Sequence, residues 1–184
     1  TFDTPGDTYD VEVVGSLAFV ADYLSGLQVI SVANPNLPVQ VGGYDTPGNA
    51  FGVEVAGSLA YVADGSGGLQ IISVANPTLP VLAGASASTF AYDVDLVGNR
   101  AYVAGGTDGL RVMDVSSPAA PTVSGTYDTP GVARNVEISG NFAFVSDEWH
   151  GLQVVSISNP ASPSLAGSFV AGGLGMEVEV MNNL

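Results

Sequence analysis

Tyr44-Asp45-Thr46-Pro47-Gly48 restates Phe2-Asp3-Thr4-Pro5-Gly6 from 42 residues earlier, and after a further 83 residues the phrase returns as Tyr127-Asp128-Thr129-Pro130-Gly131. Three other landmarks keep the same register. Val11-Glu12-Val13 recurs as Val53-Glu54-Val55, Val94-Asp95-Leu96, Val136-Glu137-Ile138 and Val178-Glu179-Val180, at steps of 42, 41, 42 and 42 residues. Ala18-Phe19-Val20 recurs as Ala60-Tyr61-Val62, Ala101-Tyr102-Val103 and Ala143-Phe144-Val145, and Gly26-Leu27 as Gly68-Leu69, Gly109-Leu110 and Gly151-Leu152. A fixed period of this length means one supersecondary unit used repeatedly. The chain reads as four repeats and the start of a fifth, the third having lost one residue.

Within each repeat, short β-branched and aromatic runs lie between clusters of Gly, Asn and Pro, which is the pattern of strands joined by turns. In the second repeat the spacing predicts strands near residues 51–55, 60–63, 69–74 and from 81 onward. Ala56-Gly57-Ser58 supplies a hairpin corner and Asp64-Gly65-Ser66-Gly67-Gly68 a glycine-rich loop. Asn76-Pro77 and Leu79-Pro80 interrupt any ladder, because proline has no N–H to donate. No segment has helical periodicity.

Four strands in such a period make the blade of a β-propeller, with both faces buried against neighbours. The expected fold is therefore an all-β propeller forming a single repeat domain over 1–184. It has a d-strand tail at 1–6, blades at 7–47, 48–89, 90–130 and 131–171, and a partial blade at 172–184. The first and last segments each supply only part of a blade, so the chain is expected to be cut in mid-blade at both ends. Unpaired strand edges are templates for strand addition, and head-to-tail self-association is expected.

Composition narrows the function. With 18 Asp+Glu against 3 Lys+Arg and a net charge of −15, the chain is a poor match for nucleic acid, whose affinity comes from cations displacing counterions. Anionic membrane surfaces are disfavoured for the same reason, and no apolar run is long enough for a bilayer span. The absence of Cys removes disulfides and thiolate chemistry. An acidic, Lys-free, glycine-rich chain suits an extracellular or cell-surface setting.

The segments Ala-Tyr-Val-Ala-Asp, Gly-Leu-x-Val and Asn-Pro-x-x-Pro together resemble the LVIVD repeat family. The signature appears as Leu27-Gln28-Val29-Ile30-Ser31, Leu69-Gln70-Ile71-Ile72-Ser73, Leu110-Arg111-Val112-Met113-Asp114 and Leu152-Gln153-Val154-Val155-Ser156. Only the third carries the closing Asp of the family pattern. The resemblance implies a β-propeller from exported or surface-associated microbial proteins, and it implies no reaction, ligand or catalytic residue.

Several residue sets are candidates for chemistry. Glu12, Glu54, Asp95, Glu137 and Glu179 share one position of the first strand, where a ring of carboxylates would hold Ca²⁺ through hard oxygen ligands. The alternative is that each accepts backbone or solvent hydrogen bonds. Asp22, Asp64 and Asp147 follow the second strand, with Gly105 in the third repeat, and are expected to cap turns. The loops after the second strand vary, and Tyr23, Glu148, Trp149 and His150 form a candidate platform for a glycan or peptide; the alternative is packing. Arg100, Arg111 and Arg134 are the only cations, placed to neutralise carboxylates on a neighbouring blade or subunit. With one His, no Cys and no nucleophile elbow, no catalytic residue is expected. The sequence thus points to a non-enzymatic structural or adhesive protein that assembles with itself. A surface module binding Ca²⁺, a glycan or a protein is the alternative reading, and an enzyme the third.

Overall fold

Each repeat opens on a hairpin whose first turn residue is Gly15, Gly57, Gly98 or Gly140, with φ between 58° and 63°. A side chain disfavours that left-handed conformation, and the two-residue turn requires it. The computed structural model describes residues 3–87, 90–170, 172–173 and 175–180. It contains sixteen strands, four to a repeat. The first repeat forms β1 (Asp10–Val14), β2 (Leu17–Ala21), β3 (Leu27–Ser31) and β4 (Val39–Tyr44), and the second forms β5 (Gly52–Ala56), β6 (Leu59–Ala63), β7 (Leu69–Ser73) and β8 (Val81–Ser86). The third supplies β9 (Asp93–Val97), β10 (Arg100–Ala104), β11 (Leu110–Asp114) and β12 (Thr122–Tyr127). The fourth supplies β13 (Asn135–Ser139), β14 (Phe142–Ser146), β15 (Leu152–Ser156) and β16 (Ser164–Phe169). Every repeat is one four-stranded antiparallel meander in chain order, and in each a bulge shifts the register between its third and fourth strands.

The strands expected in the second repeat are present to within a residue or two at most ends. The expected first strand of a fifth repeat is not formed among the described residues: 175–180 make an isolated bridge, Gly175 with Glu148, and no ladder. In the four complete repeats the first strand draws its ladder from the second strand of the same repeat, for example Asp10↔Ala21 through Val14↔Leu17. Residues 1–2 and 181–184, which the sequence assigns to the two partial blades, lie outside the described residues.

The chain divides into two compact units, Thr1–Ala91 with Pro118–Ala120, and Tyr92–Ser117 with Pro121–Leu184. In the first unit, Phe19, Ala21, Leu27 and Val29 of the first sheet form one apolar cluster with Val53, Ala60, Val62 and Ile72 of the second. In the second unit, Tyr102, Leu110 and Val112 pack in the same way with Val136, Ala143, Val145 and Val155. Each sheet thus has a front face, carrying the Phe19-type residues, and a rear face, carrying the Val53-type residues. Alternation of side chains along a strand makes both possible at once.

Close packing of front on rear depends on a glycine in the fourth strand. A Cβ on Gly42 would run into the carbonyl oxygen of Pro77, one on Gly84 into that of Pro118, and one on Gly125 into that of Pro160. The proline turn of one repeat, Asn-Pro at Pro77 and Pro160 and Ser-Pro at Pro118, therefore seats against the bare backbone of the repeat before it.

Candidate functional site

The repeats are clasped to one another by polar groups as well as by apolar faces. Asp64 is buried just after β6, where Thr46 Oγ1 donates to its Oδ1 at 2.5 Å and Gly48 N to its Oδ2 at 2.7 Å. Asp147 accepts from Thr129 Oγ1 at 2.7 Å and from Gly131 N at 3.0 Å. Asp22 accepts from Thr4 Oγ1 at 2.6 Å and from Gly6 N at 2.8 Å. Each carboxylate thus fastens the Thr-Pro-Gly that ends one repeat to the loop of the next. A second clasp lies at the start of the first strand, where Asp10 Oδ2 accepts from Val53 N at 2.8 Å and Asp93 Oδ2 from Val136 N at 2.9 Å. A third is backbone on backbone: Tyr23 bridges Ala50, Gly65 bridges Ala91, and Gly106 bridges Ala133.

In the second unit the first-strand carboxylates Asp95, Glu137 and Glu179 lie near enough for Glu137 to feel the other two. Asp95 Oδ2 accepts from Ile138 N at 2.6 Å, so this member follows the backbone-acceptor alternative. Burial raises the Glu137 carboxyl above its usual range, with Asp95 and Glu179 adding repulsion. Burial does the same to Glu12, reinforced by Asp10. Glu54 also has an interaction partner. Among the described residues, no group of three or more His, Asp or Glu is arranged to hold a metal ion.

Of the four candidate platform residues, Tyr23 lies in the first unit and Glu148, Trp149 and His150 in the second. Tyr23 stacks on Tyr9 with ring centroids 5.2 Å apart, and Phe51 meets both rings edge-on at 5.1 and 5.5 Å. Tyr23 holds a φ of 47° and Glu148 one of 39°, at a loop position that is glycine in the other two repeats. Glu148 accepts from Arg134 Nε at 2.6 Å, and the Arg134 guanidinium lies 4.1 Å from the Tyr92 ring centroid. Trp149 is 65% exposed. His150 is exposed and its carbonyl accepts from Gln153 Nε2 at 3.1 Å. Of the other cations, Arg111 pairs with Asp108 of its own repeat at 3.0 Å, and Arg100 reaches Ser124 Oγ at 3.4 Å.

Charge burial has a pH consequence. Burial raises Asp64, although the hydrogen bonds from Thr46 and Gly48 oppose it, and burial likewise raises Asp95. An acid raised in the folded state binds its proton more tightly there than in the unfolded chain, so folding stability falls as pH rises through the window above the ordinary values of 3.8 for Asp and 4.5 for Glu. Asp114, lowered by its Ser116 hydrogen bonds, has the opposite sign at lower pH. The melting temperature is therefore expected to rise on titration from pH 7 to pH 5, and a flat or falling profile by circular dichroism would remove these carboxylates as the dominant titrating groups.

Two sheet faces are exposed in part: on the rear of the first sheet Ala18, Val20 and Ile30 are buried, while the edge strand β1 is open. On the rear of the first sheet, Val11 is 52% and Val13 56% exposed, whereas Val53, the counterpart of Val11 in the same unit, is 3% exposed. On the front of the last sheet, Phe142 is 41% and Phe169 68% exposed, and Phe144, Leu152 and Val154 are half-buried. Their counterparts Tyr102, Leu110 and Val112 are buried. A Cβ on Gly167 meets nothing within 4 Å, unlike one on Gly42, Gly84 or Gly125.

These four copies of one clasped meander coincide with the repeats of a known family. The LVIVD repeat model matches residues 5–46, 47–87, 90–129 and 130–171. The chain belongs to the LVIVD repeat family. No curated protein matches it. Among solved structures, it resembles the computationally designed Ika8 protein with a TM-score of 0.68 at 5% identity, over 92% of this chain and 50% of that one. It also resembles the computationally designed Ika4 protein with a TM-score of 0.62 at 8% identity, over 84% of this chain and 93% of that one. This LVIVD array spans half the length of Ika8, and at such identities the likeness concerns fold alone.

Two recurrent features of these LVIVD repeats are legible in the sequence only in hindsight. Gln28, Gln70 and Gln153 are buried in mid-strand, where Gln28 and Gln70 reach back to the carbonyls of Ser25 and Gly67 at 2.5 and 2.6 Å. Their signal is a polar residue kept inside an otherwise apolar run. The partners of Asp22, Asp64 and Asp147 had a signal too: in the third repeat, where Gly105 replaces the Asp, the Thr-Pro-Gly before it is replaced as well.

Proposed function

We propose that this protein is a non-enzymatic structural subunit of the cell exterior, a β-propeller-type array that associates head to tail into a filament, tube or surface layer, with adhesion as a consequence of display. The observation that supports this reading is the exposure of Val11 and Val13 on the edge strand of the first sheet and of Phe142 and Phe169 on the last. The rear of the first sheet and the front of the last are the two halves of the packing that already joins repeat to repeat inside each unit. Such a contact between copies is heterologous and repeats without limit unless its rotation closes a ring. The Lys-free acidic composition supports an exterior setting.

With a net charge of −15, copies repel one another until ions screen them. Sedimentation velocity and negative-stain electron microscopy of the purified chain at about 20 mM and about 500 mM salt, with and without a chelator, test the reading. Growth of extended particles is expected at the higher salt. A monodisperse monomer at every condition would refute the structural subunit. Dissolution by chelator at fixed ionic strength would add a divalent ion to the contact.

A further inference from the structure

In the first unit, β4 and β8 are the last strands of their sheets, and the turns that lead into them carry an apolar pattern that the second unit lacks. Leu37 and Leu79 are each 66% exposed, and Val39 and Val81 each 50%. Equal values in two successive repeats mean that packing of repeat on repeat leaves these positions open. At the same places the third and fourth repeats carry Ala120 and Thr122, and Ser162 and Ser164. The two sets adjoin, because Thr78 Cα stands 3.1 Å from where a Cβ on Gly42 would be, which lays the turn carrying Leu79 against the strand carrying Val39. Leu82, also exposed, extends the patch.

This edge is free of charge. The stretches 23–44 and 65–92, which supply both turns and both edge strands, contain no Asp, Glu, Lys or Arg in a chain of net charge −15. A contiguous exposed apolar patch marks a contact. An uncharged one is where two copies of an acidic chain can meet without bringing carboxylates together. The patch also repeats itself, as Leu37-Pro38-Val39 and Leu79-Pro80-Val81, so a two-fold rotation lays it on its own copy.

We infer that this edge is a second contact between copies, isologous about a two-fold axis, with Leu37 of each copy against Leu79 of the other. It goes beyond the head-to-tail contact and does not depend on it: one extends a row of copies, the other joins rows in pairs. Side chains make the contact, because Pro38 and Pro80 have no N–H and a bulge interrupts each edge, so no continuous ladder forms across it. Five side chains fall short of the roughly 20–30 residues a side of a standard interface, so single copies part quickly and the contact counts where rows offer it repeatedly.

Disulfide trapping suits such a contact, and the chain has no cysteine of its own. Leu37→Cys and Leu79→Cys are made separately, one of them mass-tagged, mixed at equal concentration in about 20 mM salt and mildly oxidised. Leu79→Cys mixed with Ser162→Cys, the same turn position in the fourth repeat, is the control. Mixed dimers of the first pair are expected about tenfold faster than those of the control and than either self-linked dimer, the effect of roughly one buried leucine. Leu37→Ser/Leu79→Ser is expected to melt with the parent, since both side chains are exposed, and at about 500 mM salt to leave extended particles single where the parent's lie side by side.

Linkage no faster than the control would overturn the edge contact, and extended particles in the same preparations would leave head-to-tail association standing. Fast mixed linkage with no extended particles at either salt would uphold the edge and refute the head-to-tail reading. Leu37 linked to itself in excess would overturn the two-fold register.

Discussion

Asp64→Ala is expected to lower stability by about 2–4 kcal/mol and the melting temperature by about 5–15 °C. The carboxylate is buried and holds two donors from the preceding repeat, Thr46 Oγ1 and Gly48 N. Truncation leaves both without their acceptor, and an orphaned buried donor costs about 1–3 kcal/mol. Asp64→Asn should lose less than half as much. The amide oxygen can accept from Gly48 N while the Thr46 hydroxyl turns to accept from the amide nitrogen. That variant also removes the charge that burial disfavours, so its stability should vary less between pH 5 and pH 7 than that of the parent. Asp147→Ala should resemble Asp64→Ala, because its partners Thr129 and Gly131 are the same in kind. Denaturant titration measures all three, and a loss under about 0.5 kcal/mol in Asp64→Ala, the size of a surface substitution, would mean the clasp is replaced by water at no cost.

The period of the sequence reveals the meanders because every constraint on them is local. The hairpin glycines, the Asn-Pro breaks and the alternating apolar runs act within one repeat, so Gly57, Pro77 and the run 69–73 announce their strands without reference to the rest of the chain. The clasps are less legible, since Asp64 meets Thr46 across 18 residues and the Asp alone reads as a turn cap. What betrays the pairing is the joint loss of Asp and Thr-Pro-Gly around Gly105. The candidate platform shows the limit of residue type as a guide. Tyr23, Trp149 and His150 are chemically suited to a ligand, and what the residue types do not announce is that the Tyr23 ring packs on Tyr9 and Phe51 while Trp149 stays exposed. The exposed faces lay beyond the sequence altogether, because Val11 and Val53 are the same residue in the same motif. What separates 52% exposure from 3% is packing between repeats, which the repeated motif does not record.

The same substitution at two equivalent glycines should have opposite consequences. Gly42→Val is expected to cost about 3 kcal/mol or more, because its Cβ would occupy the place of the Pro77 carbonyl and backbone cannot move aside as a side chain can. Gly167→Val has open space around the new Cβ and no left-handed φ to oppose it, and valine suits a strand, so the free chain should melt within about a degree or two of the parent. Its effect should appear only between copies, where the new side chain would meet the Asn34-Pro35 turn of the next chain just as one added at Gly42 would meet Pro77. Thermal melts at low concentration and sedimentation at high concentration separate the two. Gly42→Val should fail the first measurement; Gly167→Val should pass it and remain monomeric in the second. If Gly167→Val associates as readily as the parent, the last sheet is not the receiving face, however exposed Phe169 and Phe142 are. If instead it destabilises the dilute chain as Gly42→Val does, the Gly167 face is already covered within one molecule, and the two terminal sheets are partners in a closed ring rather than links in a polymer.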